Sequence, residues 1–498
     1  MYERGKSDSP VLPTKPSNKV MTAVIAAEAV EGRGLAKENT DDPSRPGRSA
    51  GQGVSSGLDR VREVARKDKD AKFTALLHHV DLDRLHTAYW AIRPKAAPGV
   101  DGVTWEEYGK DLRANLEDLL VRVHCGAYRA SPSRRVFIPK PDGRQRPLGI
   151  ATLEDKVLQR AVVEVLNAIY EEDFLGYSYG FRPGRSPHDA LDALTVGIEK
   201  KKVNYVLDAD VSNFFTQLDH VWLEKFLQHR IADKRVLRLI KKWLAAGVIE
   251  DGAWTASDEG APQGASASPL LANVYLHYVL DRWVRQWRRR HAHGDVIIVR
   301  FADDFVAGFE HKSDAEQFLV DLRERFAKFN LELHPDKTRL IEFGRNATRN
   351  RAARGEGKPD TFEFLGFTHI CGKNKAGRFW VKRKTISKRM RAKLAEVKDE
   401  IKRRRHLPIP EQGRWLGSVV RGHLAYYAVP GNTDAVQTFC DEVTRYWFNA
   451  LRRRSQRTRV NWSRMRLYVK RWFPPARPVH PFPIVRFNVR IQGRSPVR

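Results

Sequence analysis

Two adjacent carboxylates, Asp303 and Asp304, separate the apolar runs 296–301 and 305–309, and a third, Asp210, follows the apolar run 203–207. Aspartate is common in turns because its side chain bonds nearby backbone, so the pair in isolation carries little. Its setting carries more. Two strands have no reason to hold like charges at their junction unless a cation neutralises them. Three ligands with oxygen donors only suit Mg²⁺, which keeps waters and shares its shell with substrate phosphates. Two such ions, roughly 4 Å apart, would activate a 3′-hydroxyl for attack and stabilise a leaving pyrophosphate.

The surrounding pattern supplies elements to position these groups. Residues 136–138 and 147–150 are short apolar arms around Pro141-Asp142-Gly143, a hairpin signal with basic residues on both sides. Apolar residues at three- and four-residue steps predict helices over 58–65, 73–80, 82–92, 153–172 and 221–246, and a long one from Ser268 to Arg290. Strands are expected at 203–207, 296–301 and 305–309. Helices alternating with such strands predict an α+β fold with a mainly antiparallel sheet. No internal repeat is visible. Residues 1–57 are rich in Gly, Ser, Pro and mixed charge and are expected to be disordered, although Met21 is an alternative start.

The chain has 498 residues, with 89 Lys and Arg against 60 Asp and Glu, a formal charge of +29. That excess argues against a small-metabolite enzyme and for a polyanionic partner, nucleic acid before an anionic membrane surface. No apolar run approaches the roughly 18 residues of a membrane span. Cys125, Cys371 and Cys440 are too few and too scattered for a disulfide framework or a zinc site, which fits a reducing cytoplasm.

Taken in order, Asp210-xxx-Phe214-Phe215, Pro262-Gln263-Gly264, Phe301-Ala302-Asp303-Asp304, Leu333-xxx-Lys337-Thr338 and Phe364-Leu365-Gly366-Phe367 resemble the motif blocks of reverse transcriptases. Ile138 to Gly143, Arg146 to Ile150 and Ser178 to Ser186 resemble those of group II intron-encoded reverse transcriptase/maturases in particular, over about residues 60–485. Phe301 stands where that family commonly has Tyr, and Ala265 where a second Gly is frequent. Neither change removes a carboxylate.

The resemblance implies a right-hand polymerase. Residues 58–119 would be an N-terminal helical extension, 120–369 the fingers and palm, 385–465 an α-helical thumb and maturase-specific X region, and 466–498 a basic tail. Asp210, Asp303 and Asp304, with the Val211 carbonyl, would hold two Mg²⁺. Lys140, Arg146, Gln263 and Lys337 would contact the incoming dNTP, and Phe215 would exclude a ribose 2′-hydroxyl. Phe364, Leu365, Gly366 and Phe367 would form the primer grip. Arg421, Tyr426, Tyr427, Arg452, Arg453 and Arg454 would bind intron RNA, target DNA being the other macromolecular partner. The implied activity is reverse transcription in retrohoming combined with assisted splicing, without the family's C-terminal nuclease domain. The competing readings are an RNA-binding maturase or chaperone with a dispensable polymerase, and a domesticated or defence-linked reverse transcriptase of the same architecture.

Overall fold

The computed structural model describes residues 57–139, 145–250, 253–256, 260, 264–374, 376–454 and 460–491. Its strands, in chain order, are β1 (Ser133–Pro139), β2 (Gln145–Ile150), β3 (Tyr205–Ala209), β4 (Val248–Glu250), β5 (Ala253–Thr255), β6 (Val296–Phe301), β7 (Asp304–Phe309), β8 (Arg339–Glu342), β9 (Phe362–Phe364), β10 (Phe367–Lys373) and β11 (Phe379–Thr385). They form three sheets, β2-β1-β4-β5, β6-β7-β3-β8 and β11-β10-β9. Every pairing is antiparallel except β1 with β4. The α+β expectation therefore stands.

The β6-β7-β3-β8 sheet is covered on both faces, unlike most antiparallel sheets, which leave one face wet. Alternation along β6 sends Val296 and Ile298 into a large core with the helices Leu153–Asp173 and Ser268–Leu276. It sends Ile297 and Val299 into a second core, shared with the helix Pro187–Lys200 and with Phe362, Phe364 and Phe367. Hence β6 reads as an apolar run from Val296 to Val299, broken by Arg300. The helix Pro187–Lys200 starts on a capping box: the Ser186 side chain accepts from the Asp189 amide, and the Asp189 carboxylate from the Ser186 amide. A third core, centred on the fully buried Trp447, unites the helices Ser387–Arg404, Ile409–Tyr427, Thr433–Arg452 and Trp462–Trp472.

Three expectations need correction. Residues 73–80 form no helix beyond a 3₁₀ turn at Leu77–His79. Their backbone donors are taken from outside: the amides of Leu76 and Leu77 donate to the Asp233 carboxylate at 2.8 and 3.0 Å, and that of Phe73 to the Arg230 carbonyl. The helix begun at Ser268 reaches Arg290 only through a π-helical segment, His277–Asp281. The C-terminal stretch is not a free basic arm over its described length. The helix Trp462–Trp472 crosses the expected boundary at 465/466 and buries Met465 in the third core. A last helix, Pro483–Ile491, packs on Pro187–Lys200, with Arg486 donating to the buried Asp192 at 2.5 Å.

Candidate active site

Asp210 lies one residue past β3, and Asp303 and Asp304 lie at the turn from β6 to β7. The register pairs Ala209 with Phe305 and Phe301 with Asp304, so one further step sets Asp210 opposite Asp304. Asp208, two residues before Asp210, shares its face of β3 by the period of two. All four carboxylates line one cavity of about 820 Å³. Arg146 and Gln145 of β2 line it too, as do Val211, Phe215, His334, Lys337, Arg389 and the tip Phe364-Leu365-Gly366.

Acid outweighs base at the cavity floor. Lys337 forms an ion pair with Asp210, and Arg339 of β8 lies 3.5 Å from Asp208. Burial holds the Asp208 carboxyl up, at about 6, despite that arginine. Burial also raises Asp303, with the Asp210 charge adding to it while Arg146 and Lys337 oppose. Asp304 is raised by burial and then by the charges of Asp303 and Asp210, though its side chain opens onto the cavity, where water tempers the effect. Among the described residues no three metal-ligating side chains are gathered closely enough to hold an ion unaided. An incomplete oxygen set with excess negative charge fits Mg²⁺, whose shell is finished by water and substrate phosphate.

The family model described as "Reverse transcriptase (RNA-dependent DNA polymerase)" matches residues 138–369, which contain every element of this cavity except Ile386 and Arg389. Protein YkfC of Escherichia coli K12 is 34% identical over 299 aligned residues, spanning 52% of this chain and 78% of that protein. This chain belongs to the reverse transcriptase family. Group II intron-encoded protein LtrA of Lactococcus lactis subsp. cremoris is 33% identical over 235 residues, covering 47% of this chain but only 39% of LtrA. Nuclear intron maturase 3 of Arabidopsis thaliana is 30% identical over 185 residues, covering 37% of this chain and 23% of that protein.

In this reverse transcriptase the turn bearing Asp303 is held from behind by residues that sequence reasoning missed. Ala302 sits at φ +57°, a left-handed conformation that costs a residue with a Cβ about 1 kcal/mol or more. Its carbonyl accepts a 2.9 Å bond from Arg300, which is fully buried inside β6. The same guanidinium donates to both oxygens of Asp281 (2.8 and 2.6 Å), to Asn273 (3.0 Å) and to Ser178 Oγ (2.7 Å). Asp281 ends the π-helical segment, an irregularity that often marks functional sites. Gly180 completes the support, because a Cβ there would lie 2.2 Å from the Ala302 nitrogen. One signal was visible in the sequence: a charge inside a wholly apolar strand must have a buried partner.

The Phe364 to Phe367 motif is the β9–β10 hairpin turn, in which Leu365 (φ +46°) and Gly366 (φ +86°) are both left-handed, as a type I′ turn requires. Phe364, Leu365 and Gly366 reach the cavity, whereas Phe367 is buried beneath it. Tyr426 and Tyr427, both half-buried, brace this turn. The Tyr426 hydroxyl donates to the Leu365 carbonyl at 2.8 Å, and both rings pack on Phe367. The last turn of the helix Ile409–Tyr427 thus uses them to dock on β9–β10.

Arg421, Arg452, Arg453 and Arg454 do not line the cavity. Arg421 and Arg453 are exposed, Arg452 lies over Phe448, and Arg454 donates to the His406 carbonyl. Lys140 and Gln263 fall outside the described residues. Gly264, next to Gln263, sits at φ +107° with its would-be Cβ 2.9 Å from the Gly149 carbonyl oxygen, so the motif's glycine is required where it meets β2.

Proposed function

We propose that this protein is the RNA-directed DNA polymerase of a group II intron, adding dNTPs to a primer by two-metal nucleotidyl transfer and also binding the intron RNA to assist splicing. The observation that carries the reading is the convergence of Asp210, Asp303 and Asp304 on one cavity rimmed by Arg146, Lys337 and Phe215. Asp210, Asp303 and Asp304, with the Val211 carbonyl, would hold the magnesium ions. When bound, those ions lower the pKa of the attacking 3′-hydroxyl and offset charge on the triphosphate. The chain's own groups do the rest. Arg146 and Lys140 offer guanidinium and ammonium donors to the triphosphate oxygens, and Gln263 orients the nucleotide. Lys337 sits between Asp210 and solvent, where it neutralises surplus carboxylate charge and can follow the phosphates. The half-buried Phe215 ring, which lines the cavity, would exclude a ribose 2′-hydroxyl, and Leu365 and Gly366 would hold the primer end.

Primer extension on an RNA template, wild type beside Asp303→Ala, tests the polymerase. Synthesis by wild type and none by the variant is the expected result; undiminished synthesis by the variant overturns the metal assignment. The net charge of +19 over residues 385–498 supports the RNA-binding half and also the runner-up, a maturase whose polymerase is dispensable. Splicing of the flanking intron by Asp303→Ala, together with silent wild-type primer extension, would select that runner-up. A reading frame with no surrounding ribozyme RNA would instead select a domesticated or defence-linked enzyme.

A further inference from the structure

A second concavity, of about 510 Å³, opens at the start of β6, whereas the Asp303 turn follows its end. At 3.3 Å per residue those ends are about 16 Å apart. Its charged lining is Lys201, Arg285, Arg288, Arg289 and Asp295. The single carboxylate, Asp295, pairs with Lys201 at 3.2 Å and also acts on Arg288, so four cations meet one anion in this lining.

The three arginines stand at i, i+3 and i+4 of the helix Arg282–Arg290, whose sequence RWVRQWRRR holds no acid. Like charges at that spacing repel one another. Arg288 is moreover partly withdrawn from water, and that burial holds its pKa down. The favourable interaction of cations with a helix C-terminus accounts for residues in the last turn, Arg288 to Arg290. It does not account for Arg285 or for the concave shape. The platform is also rigid: Val284 and Trp287 of the same helix are buried, and the Trp287 indole donates to Asp321 at 2.6 Å.

We propose that this concavity is a second nucleic-acid site, taking the phosphodiester backbone of a strand outside the polymerase cavity. Arginine forks match phosphate oxygens in pairs, and an anion there offsets the mutual repulsion of the arginines. The one aromatic ring in the lining, Tyr177, is buried, its hydroxyl donating to the Asp281 carbonyl at 2.5 Å. No ring is offered for base stacking, so the site reads backbone and not sequence. Tyr177 also accepts the Arg300 amide through its carbonyl, which joins one wall of the concavity to the supports of the Asp303 turn.

The test uses the full chain with its polymerase cavity preloaded with unlabelled template and primer. A fluorescein-labelled RNA of mixed sequence is then titrated by anisotropy across a salt series. Arg285→Gln with Arg289→Gln changes two exposed side chains and spares the buried face of the helix. The double variant is expected to bind roughly tenfold more weakly at low salt, with the slope of log affinity against log salt shallower by about 1.4, two single-strand phosphate contacts. Primer extension on a short template should be unchanged, so failure of this site and failure of the polymerase reading are separable. A DNA strand of the same sequence identifies the source: equal losses assign the site to the shared phosphodiester, a loss with RNA alone assigns it to RNA. An unchanged slope, or an equal loss in Lys234→Gln with Arg238→Gln as charge-matched control, overturns the proposal.

Discussion

Arg300 of β6 makes five hydrogen bonds and is wholly removed from solvent, whereas Lys402 and Arg403 of the C-terminal bundle reach one helical turn to Asp399 and Glu400 at the surface. The sheet holds few charges, and the one in its interior, Arg300, has a fully buried partner in Asp281. The bundle and the C-terminal segment beyond it hold many: residues 385–498 contain 26 basic and 7 acidic side chains. A buried charge that loses its partner keeps its full desolvation cost, while a surface pair is already hydrated and screened. The sheet should therefore respond sharply to single substitutions, and the bundle only to the sum of many.

The largest effect should come from Asp303→Asn, for which the incorporation rate should fall by about a thousandfold or more, given the several kcal/mol that metal ligation supplies to such transfers. Its melting temperature should rise slightly, because mutual repulsion with Asp210 is removed. A variant both slower and less stable would contradict the charge excess described at the cavity. Next in size, Arg300→Met leaves Asp281 buried and unpaired, and chemical denaturation should register a loss of about 3–5 kcal/mol. Arg300→Lys should recover part of the stability but little of the activity, since one ammonium cannot span Asp281 and the Ala302 carbonyl together.

Acidification probes the seam between the two regions. His188 and His369 are buried beside it, and burial depresses them to about 2 and about 3. A histidine whose folded pKa is depressed contributes stability above its unfolded value, about 6.5, that is lost as pH falls below it. Between pH 7 and pH 5 each should cost about 2 kcal/mol, and His369→Gln should flatten the denaturation profile over that window. Arg486→Ala, which releases one of the two arginines on Asp192, should cost about 2 kcal/mol and accelerate amide exchange in the last helix first. Least affected should be Lys402→Ala, with an unchanged melting temperature and only a slightly shallower salt dependence of RNA binding.

The three aspartates, the antiparallel arms β1 and β2 and most of the apolar helices were legible in the sequence because period and turn chemistry are local properties, although Pro141-Asp142-Gly143 lies outside the described residues. Arg300, Asp281, Asn273 and Ser178 were not, because nothing between positions 178 and 300 signals that they share a guanidinium. The docking of Tyr426 and Tyr427 on the Leu365 turn was hidden for the same reason: aromatics among arginines look alike whether they face RNA or a neighbouring hairpin. Residues 73–80 have helical spacing, but Asp233, more than 150 positions away, takes their amides.

By itself the sequence determined which carboxylates the protein has, the strands and turns that carry them, and where its positive charge accumulates. Only the tertiary structure decided which charges are buried together, which aromatics brace the Leu365 turn, and that the C-terminal helix returns to Asp192. Composition and periodicity depend on neighbours along the chain, whereas desolvation and hydrogen bonding depend on neighbours in space.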